Sequence, residues 1–255
     1  MSHWTEELFV EHPEVFAVTM RQRVDDAPEQ VEQVLGLARD HGVEPATALD
    51  VACGIGRHAV ELAGSGVTVR GVDISPAYVE TARDRAAEAG VADRATFEVG
   101  DMRDLDAVDG EYDLVTNMWT AFGYFDEATN EAVAAGLHGT VADDGVLVME
   151  LANKEATMAN FRSSFAARDD GVLSVEEGEY TPATGRMETT LTLFEERDDG
   201  YDHVGEVSWD LRLYAPAELR RLLERAGFSA VHLYGGLDGS ELERESHRLV
   251  VVAEP

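Results

Sequence analysis

Residues 50–57 run Asp-Val-Ala-Cys-Gly-Ile-Gly-Arg, where an apolar stretch gives way to a helical one. Gly54 and Gly56 let the backbone approach a ligand closely, and the amides that open the following helix favour a carboxylate or phosphate. A Gly-x-Gly turn also occurs as a plain strand-to-helix connection, so its neighbours must decide. Asp73 ends the next apolar run, 17 residues after Gly56, where an acid would meet the ribose hydroxyls of an adenosine group seated on the first turn. A competing reading makes Asp73 the N-cap of a helix beginning near Pro76. Gly100-Asp101-Met102 follows the third run and pairs an acidic acceptor with an apolar side chain, suited to an adenine amine and ring face. Asn117-Met118-Trp119 closes the fourth. Four successive strand ends thus offer complementary groups on one rim, the place where open α/β sheets bind ligands.

Other reactive side chains carry less. His58, His138 and His203 are the candidate bases, yet none has an acid or metal partner at helical spacing, and each reads as structural. Cys53 is the only cysteine, which rules out an internal disulfide or a multi-thiolate site and, inside a glycine turn, reads as a small packing residue. The Asp-Gly turns Asp169-Asp170-Gly171, Asp198-Asp199-Gly200 and Asp238-Gly239 lack the alternating ligand spacing of a calcium loop. No metal site is expected, and the sequence leaves the catalytic residues, including whether a general base exists, open.

Positioning four strand ends on one rim requires a parallel sheet with helices between its strands. Short apolar runs at 46–52, 67–74, 95–100, 112–118 and 146–151 alternate with helical stretches at 57–63, 76–89 and 127–141, the last closed by Asp143-Asp144-Gly145. Residues 4–41 read as helical and precede the first strand. After Leu151 the rhythm changes to period-two alternation at 172–180, 186–197 and 201–214, an antiparallel insertion. A helix at 216–226 and strands at 228–234 and 247–253 follow, the last pair joined without room for a helix and so antiparallel. The expected architecture is a doubly wound, seven-stranded, mostly parallel α/β sheet. Its parts are an N-terminal helical cap (1–45), a core (46–151 and 214–255) and an antiparallel insertion (152–213) acting as a substrate lid.

Bulk composition narrows the partners. Fifty-one acidic against 20 basic residues give a net charge of −31, which repels phosphate backbones and anionic lipid; a small-molecule substrate is expected rather than nucleic acid or membrane. The acids are dispersed along the chain instead of forming a tail, and lysine is confined to Lys154, a pattern that resembles proteins of salt-accumulating archaea. The absence of a long apolar run and of a signal-like N-terminus makes cytoplasmic residence the expectation. Oligomeric state is not legible.

With these motifs in view, the chain resembles the class I S-adenosylmethionine-dependent methyltransferase superfamily over residues 46–253. The glycine motif matches Asp50 to Gly56, the acidic post-strand position matches Asp73 in Gly-Val-Asp-Ile-Ser, and the adenine motif matches Asp101-Met102. Arg57-His58, Gly-Asp-Met-Arg-Asp-Leu and residues 121–125 resemble a small-molecule branch that carries an antiparallel insertion before the penultimate helix. The resemblance implies S-adenosylmethionine as cofactor, with Ala52, Gly54 and Gly56 under its methionine part and Arg57 at its carboxylate. Asp73, followed by Ile74, would hold the ribose, Asp101 and Met102 the adenine, and Asn117 and Met118 the methionine side through backbone contacts.

The substrate surface is expected from Trp119, Phe122 and Tyr124, from the insertion and from N-terminal aromatics such as Trp4, an aromatic pocket suiting a cationic or flat acceptor. Ordinary packing is the plain alternative for the Phe-Gly-Tyr-Phe stretch. Methyl transfer by in-line displacement needs alignment and water exclusion, and a base only for an oxygen or a protonated amine. Two rivals stay open. An NAD-dependent oxidoreductase shares the glycine turn and the post-strand acid, although its third glycine position is Ala59 here; a non-catalytic S-adenosylmethionine-binding module shares everything but turnover.

Overall fold

The computed structural model describes residues 3–169 and 171–255. Asp170, within one of the expected Asp-Gly turns, lies outside them. In chain order the core elements are β1 (Thr47–Val51), β2 (Thr68–Asp73), β3 (Ala95–Val99), β4 (Tyr112–Asn117) and β5 (Val141–Ala152). Four further strands, β6 (Ser164–Asp169), β7 (Val172–Thr181), β8 (Arg186–Arg197) and β9 (Gly200–Arg212), precede β10 (Ala230–Tyr234) and β11 (Arg248–Glu254). The helices are α1 (Trp4–Glu6), α2 (Pro13–Arg21), α3 (Ala27–Asp40), α4 (Arg57–Gly64), α5 (Pro76–Glu88), α6 (Glu127–Thr140), α7 (Lys154–Ala159) and α8 (Pro216–Ala226).

Seven strands form one sheet in the order β10-β11-β5-β4-β1-β2-β3, and only β11 runs against its neighbours. The central strands are buried on both faces, so consecutive residues serve opposite cores. Ala48, Leu114, Val148 and Val250 pack beneath α3, α4 and α5. Leu49, Val115, Leu147 and Val251 pack beneath α6 and α8. Strand order reverses between β1 and β4, so the loops at the carboxyl ends of those strands splay apart and leave a crevice.

A second sheet, β6-β7-β8-β9, is wholly antiparallel and forms the insertion. Leu191, Leu193 and Val207 on its apolar face receive Leu8, Val15 and Val18 from the N-terminal helices. Gly205 is what permits the approach, since a Cβ there would stand 2.7 Å from Val15 Cγ2.

Three details depart from the sequence expectation. The helical N-terminus is broken: α1 passes into a π-helical turn at Glu7–Glu11, and residues 22–26 turn the chain between α2 and α3. The Asp143-Asp144-Gly145 segment belongs to β5, which begins at Val141, because the pairing with β4 shifts register between Tyr112 and Leu114 and absorbs it. Strand β6 and helix α7 were not expected; every residue of β6 is exposed, so it has no buried alternation to betray it. Among the described residues no helix is long and apolar enough to cross a membrane.

Candidate active site

Backbone strain marks the first turn. Ala52, a non-glycine residue, adopts φ 60°, and Gly54 and Gly56 adopt φ 55° and 75°. The Asp73 carboxylate holds the turn against β2: Oδ2 accepts the Gly54 N–H at 2.8 Å and Oδ1 the Ser75 N–H at 2.9 Å. Ser75, not Asp73, caps α5 by accepting the Tyr78 N–H. The Gly100 N–H reaches the Asp73 carbonyl at 3.0 Å, so the ends of β1, β2 and β3 are tied in sequence.

The fourth strand end is strained as well. Trp119 and Thr120 both have left-handed backbones, φ 59° and 63°. Glu150 on β5 holds them: its Oε2 accepts the Trp119 N–H at 3.3 Å, and its backbone oxygen accepts the Thr120 N–H at 2.8 Å. The Trp119 ring then lies beneath the Arg57 guanidinium, 5.3 Å from centroid to Cζ. Gly123 (φ 95°) passes so close to Arg212 at the end of β9 that a Cβ would sit 2.4 Å from the Arg212 carbonyl oxygen, and Tyr124 is thereby turned inward.

Together these ends border a cleft whose empty space, counted out to its open mouth, is about 850 Å³. The N-terminal segment roofs it with Thr5, Phe9, Phe16 and Met20. Phe16 packs 5.6 Å from Trp119, Trp4 meets the Tyr124 ring edge-on at 4.9 Å, and the Tyr78 hydroxyl donates to the Pro13 carbonyl at 2.8 Å. The result is an aromatic chamber with few polar groups.

Burial sets the charges of those groups. Asp50, under the turn, is pushed up to about 7 by desolvation, although Thr116 donates to its Oδ1 at 2.8 Å; its Oδ2 has no partner among the described residues. Desolvation also raises Asp73 to about 6 against the two backbone N–H groups. Arg57 is lowered by burial, which nearby Glu150 and Asp50 oppose; its Nη1 donates to Gln30 Oε1, and its buried Nη2 has no partner among the described residues. His58 meets the same Gln30 oxygen at 2.8 Å, and burial followed by the Arg57 charge holds it far below its ordinary value, neutral at pH 7. Desolvation, with Asp73 and Asp50 adding to it, keeps Cys53 a thiol. At Asp101 burial works upward, but the Arg103 side chain and backbone N–H outweigh it and hold the carboxyl below its usual value.

Residues 48–145 match the methyltransferase domain family. The chain is 28% identical over 242 residues to a dTDP-3-amino-3,4,6-trideoxy-α-D-glucopyranose N,N-dimethyltransferase of Streptomyces venezuelae, covering 91% of this chain and 96% of that one. The matched domain and this relative identify an S-adenosylmethionine-dependent methyltransferase. The structure of Streptomyces venezuelae DesVI superposes on the methyltransferase with a TM-score of 0.72 at 25% identity, over 96% of this chain and 99% of that one. A methyltransferase from Clostridium acetobutylicum shares the fold with a TM-score of 0.80 over 96% and 97% of the two chains, at 14% identity. The residues present fit S-adenosylmethionine. An unpartnered guanidinium nitrogen and an unpartnered carboxylate oxygen, at Arg57 and Asp50, flank a turn whose Gly54 leaves only Met20 Sδ within 3.0 Å of a would-be Cβ.

The methyltransferase does not treat all its sequence-expected site residues alike. Ala52, Gly54, Arg57, Asp73, Ile74, Asp101, Met102 and Met118 border the cleft, as do Trp119 and Tyr124. Asp50, Gly56 and Asn117 stand behind it. Gly56 faces α5, where a Cβ would be 2.8 Å from Ala82 Cβ, and Asn117 donates to the Val51 and Ala121 carbonyls. Phe122 is core, 5.7 Å from the Tyr214 ring, and Trp4 touches the cleft only through Tyr124 and Phe9. Among the described residues none from 152–213 borders the cleft; the insertion reaches it through the N-terminal helices. His138 packs on Phe228 and His203 on Phe194, both away from it. Thr5, Phe9, Phe16, Met20, Tyr78 and Phe125 are among the lining residues that sequence reasoning missed. Their helical spacing puts Phe9 and Phe16 on an apolar face without showing what that face covers.

Proposed function

We propose that this methyltransferase transfers methyl groups to an amine nitrogen of a small polar acceptor of the amino-sugar class. The observation that carries it is the correspondence, over nearly the full length of both chains, with an amino-sugar N,N-dimethyltransferase. The chemistry of the chamber accords with it. A neutral amine attacks without a general base, and the histidine bordering the cleft is neutral and engaged by Gln30.

Bound S-adenosylmethionine supplies a methyl group on a sulfonium, already an excellent leaving group. The chain supplies position. Asp73 accepts the ribose hydroxyls with the lone pairs its two backbone donors leave free. Met102 and Ile74 flank the adenine, and Asp101 accepts its amine beside Arg103. Arg57 meets the carboxylate, Ala52, Gly54 and Met118 border the methionine side, and Asp50, Gly56 and Asn117 brace that bed from behind. Trp119 and Tyr124 face the acceptor, with Phe122 and Trp4 bracing them from behind, and the aromatic roof excludes water.

Residues 152–213 act as the backing plate of a lid whose inner surface is the N-terminal segment. The dispersed acidity suits a concentrated-salt cytoplasm such as that of a halophilic archaeon, and a net charge of −31 disfavours nucleic acid as acceptor.

The test pairs sugar nucleotides that differ only in an amine or a hydroxyl at one carbon, incubated with S-adenosylmethionine at high salt and read by mass spectrometry. Methylation of the amine alone is expected. Methylation of the hydroxyl compound at an equal rate contradicts an amine acceptor.

A further inference from the structure

Two histidines and a carboxylate converge far from the cleft. His41 closes α3, His232 lies in β10 and Glu254 ends β11. Strand β11 runs antiparallel to β5, with Arg248 beside Ala152 at the cleft end and Ala253 beside Leu147, so Glu254 emerges at the opposite rim of the sheet.

His41 Nδ1 stands 2.8 Å from Glu254 Oε1, and His232 Nε2 stands 3.6 Å from the same oxygen. One ligand atom from each of the three residues lies within 4.8 Å of the other two. The two rings meet edge-on, 4.6 Å between centroids. In a four-coordinate zinc site, bond lengths of about 2.0–2.2 Å place ligand atoms roughly 3.3 Å apart, a spacing that the two observed distances bracket.

The surroundings favour a cation too. His41 Nε2 meets the Tyr234 hydroxyl at 2.8 Å, the outer hydrogen bond that fixes the ring of a metal-bound histidine and leaves its other nitrogen free to coordinate. The chain as a whole carries a net charge of −31. The His41 side chain is 8% exposed and anchored, whereas His232 and Glu254, at 45% and 39%, leave one side open for an entering ion and a water ligand.

We propose that His41, His232 and Glu254 form a structural divalent-cation site, a two-histidine, one-carboxylate set that takes zinc, with water in the fourth position. The ion clips the end of α3 to the β10–β11 edge. With the metal on Nδ1, the ring proton of His41 resides on Nε2, where the Tyr234 oxygen accepts it. Without metal, Nδ1–H donates to Glu254 and the tyrosine hydroxyl donates to Nε2, so the site persists as a hydrogen-bonded network.

Chelator-stripped protein titrated with zinc chloride by calorimetry should bind one equivalent per chain and unfold at a higher temperature when loaded. Cobalt(II) in its place should give the visible absorption of a tetrahedral site. His232→Ala, at an exposed side chain, should abolish the one-equivalent step without lowering the metal-free unfolding temperature, and Tyr234→Phe should weaken it about tenfold. His203→Ala, in the insertion, should leave it intact. Absence of a saturable equivalent, or undiminished binding by His232→Ala, overturns the proposal. A zinc-induced loss of S-adenosylhomocysteine affinity also overturns it, because it would place the ion in the cleft.

Discussion

The Asp73 carboxylate accepts the Gly54 N–H at 2.8 Å, joining the glycine turn after β1 to the acid that ends β2. One side chain therefore shapes the turn and borders the cleft. In the proposed reading its protonation links pH to cofactor affinity.

Asp50 and Asp73 are raised by burial to about 7 and about 6, from an ordinary 3.8. A carboxyl that holds its proton more tightly when folded adds stability fully below the unfolded value, and that stability is lost as pH rises through the folded one. The metal-free, cofactor-free protein should therefore gain unfolding temperature as pH falls from about 8 to about 5 at fixed salt. Affinity for S-adenosylhomocysteine should move the other way and drop below about pH 6, as Asp73 loses the charge that accepts hydrogen bonds from the ribose hydroxyls. Calorimetry at matched pH values reads both trends, and parallel trends would contradict the assignment.

Two glycine-to-alanine changes should have opposite signs. Gly56 has φ 75° and only 2.8 Å to Ala82 Cβ, so Gly56→Ala is expected to cost about 2 kcal/mol or more. Gly36 lies inside α3 with nothing within 4 Å of its would-be Cβ, so Gly36→Ala should gain roughly 0.5–1 kcal/mol. Chemical denaturation of both variants measures the pair.

Glu150 holds the two left-handed residues after β4 and pairs with Arg248 Nε at 3.3 Å. Glu150→Gln removes the negative charge near Arg57 and weakens the grip on Trp119. The expected outcome is a several-fold rise in KM for S-adenosylmethionine with a smaller change in kcat. A change confined to unfolding temperature would show Glu150 to be structural only.

A net charge of −31 repels itself until salt screens it, over about 10 Å at 0.1 M and about 3 Å at 1 M. The unfolding temperature should climb as potassium chloride rises from 0.1 M to above 1 M, and a flat or falling profile would contradict salt adaptation.

The parallel core was legible because its strands are buried on both faces and separated by turns with proline, glycine and acid signals; Ser75-Pro76 opens α5 and Asp126 caps α6. The site's polar groups were legible for a related reason: they sit at strand ends, where period-two patterning stops. What escaped depended on tertiary geometry. Strand β6 has no buried face, and the register shift that draws Asp143 to Gly145 into β5 is made by its partner strand. Phe122 and Tyr124 look alike in sequence but part at Gly123, whose backbone sends one to the core and the other to the cleft. The roof formed by Phe9, Phe16 and Met20 follows from where α2 docks on the insertion sheet, which no local pattern encodes.

The central claim is that Asp73 and the β1 turn together seat S-adenosylmethionine. Calorimetric titration of S-adenosylhomocysteine into the wild-type chain and Asp73→Asn at pH 7.5 and high salt tests it most directly. One site per chain is expected in the wild type, with affinity weakened about 10- to 100-fold in the variant, the cost of losing charged hydrogen bonds. No binding by the wild type, or equal binding by both, would contradict it.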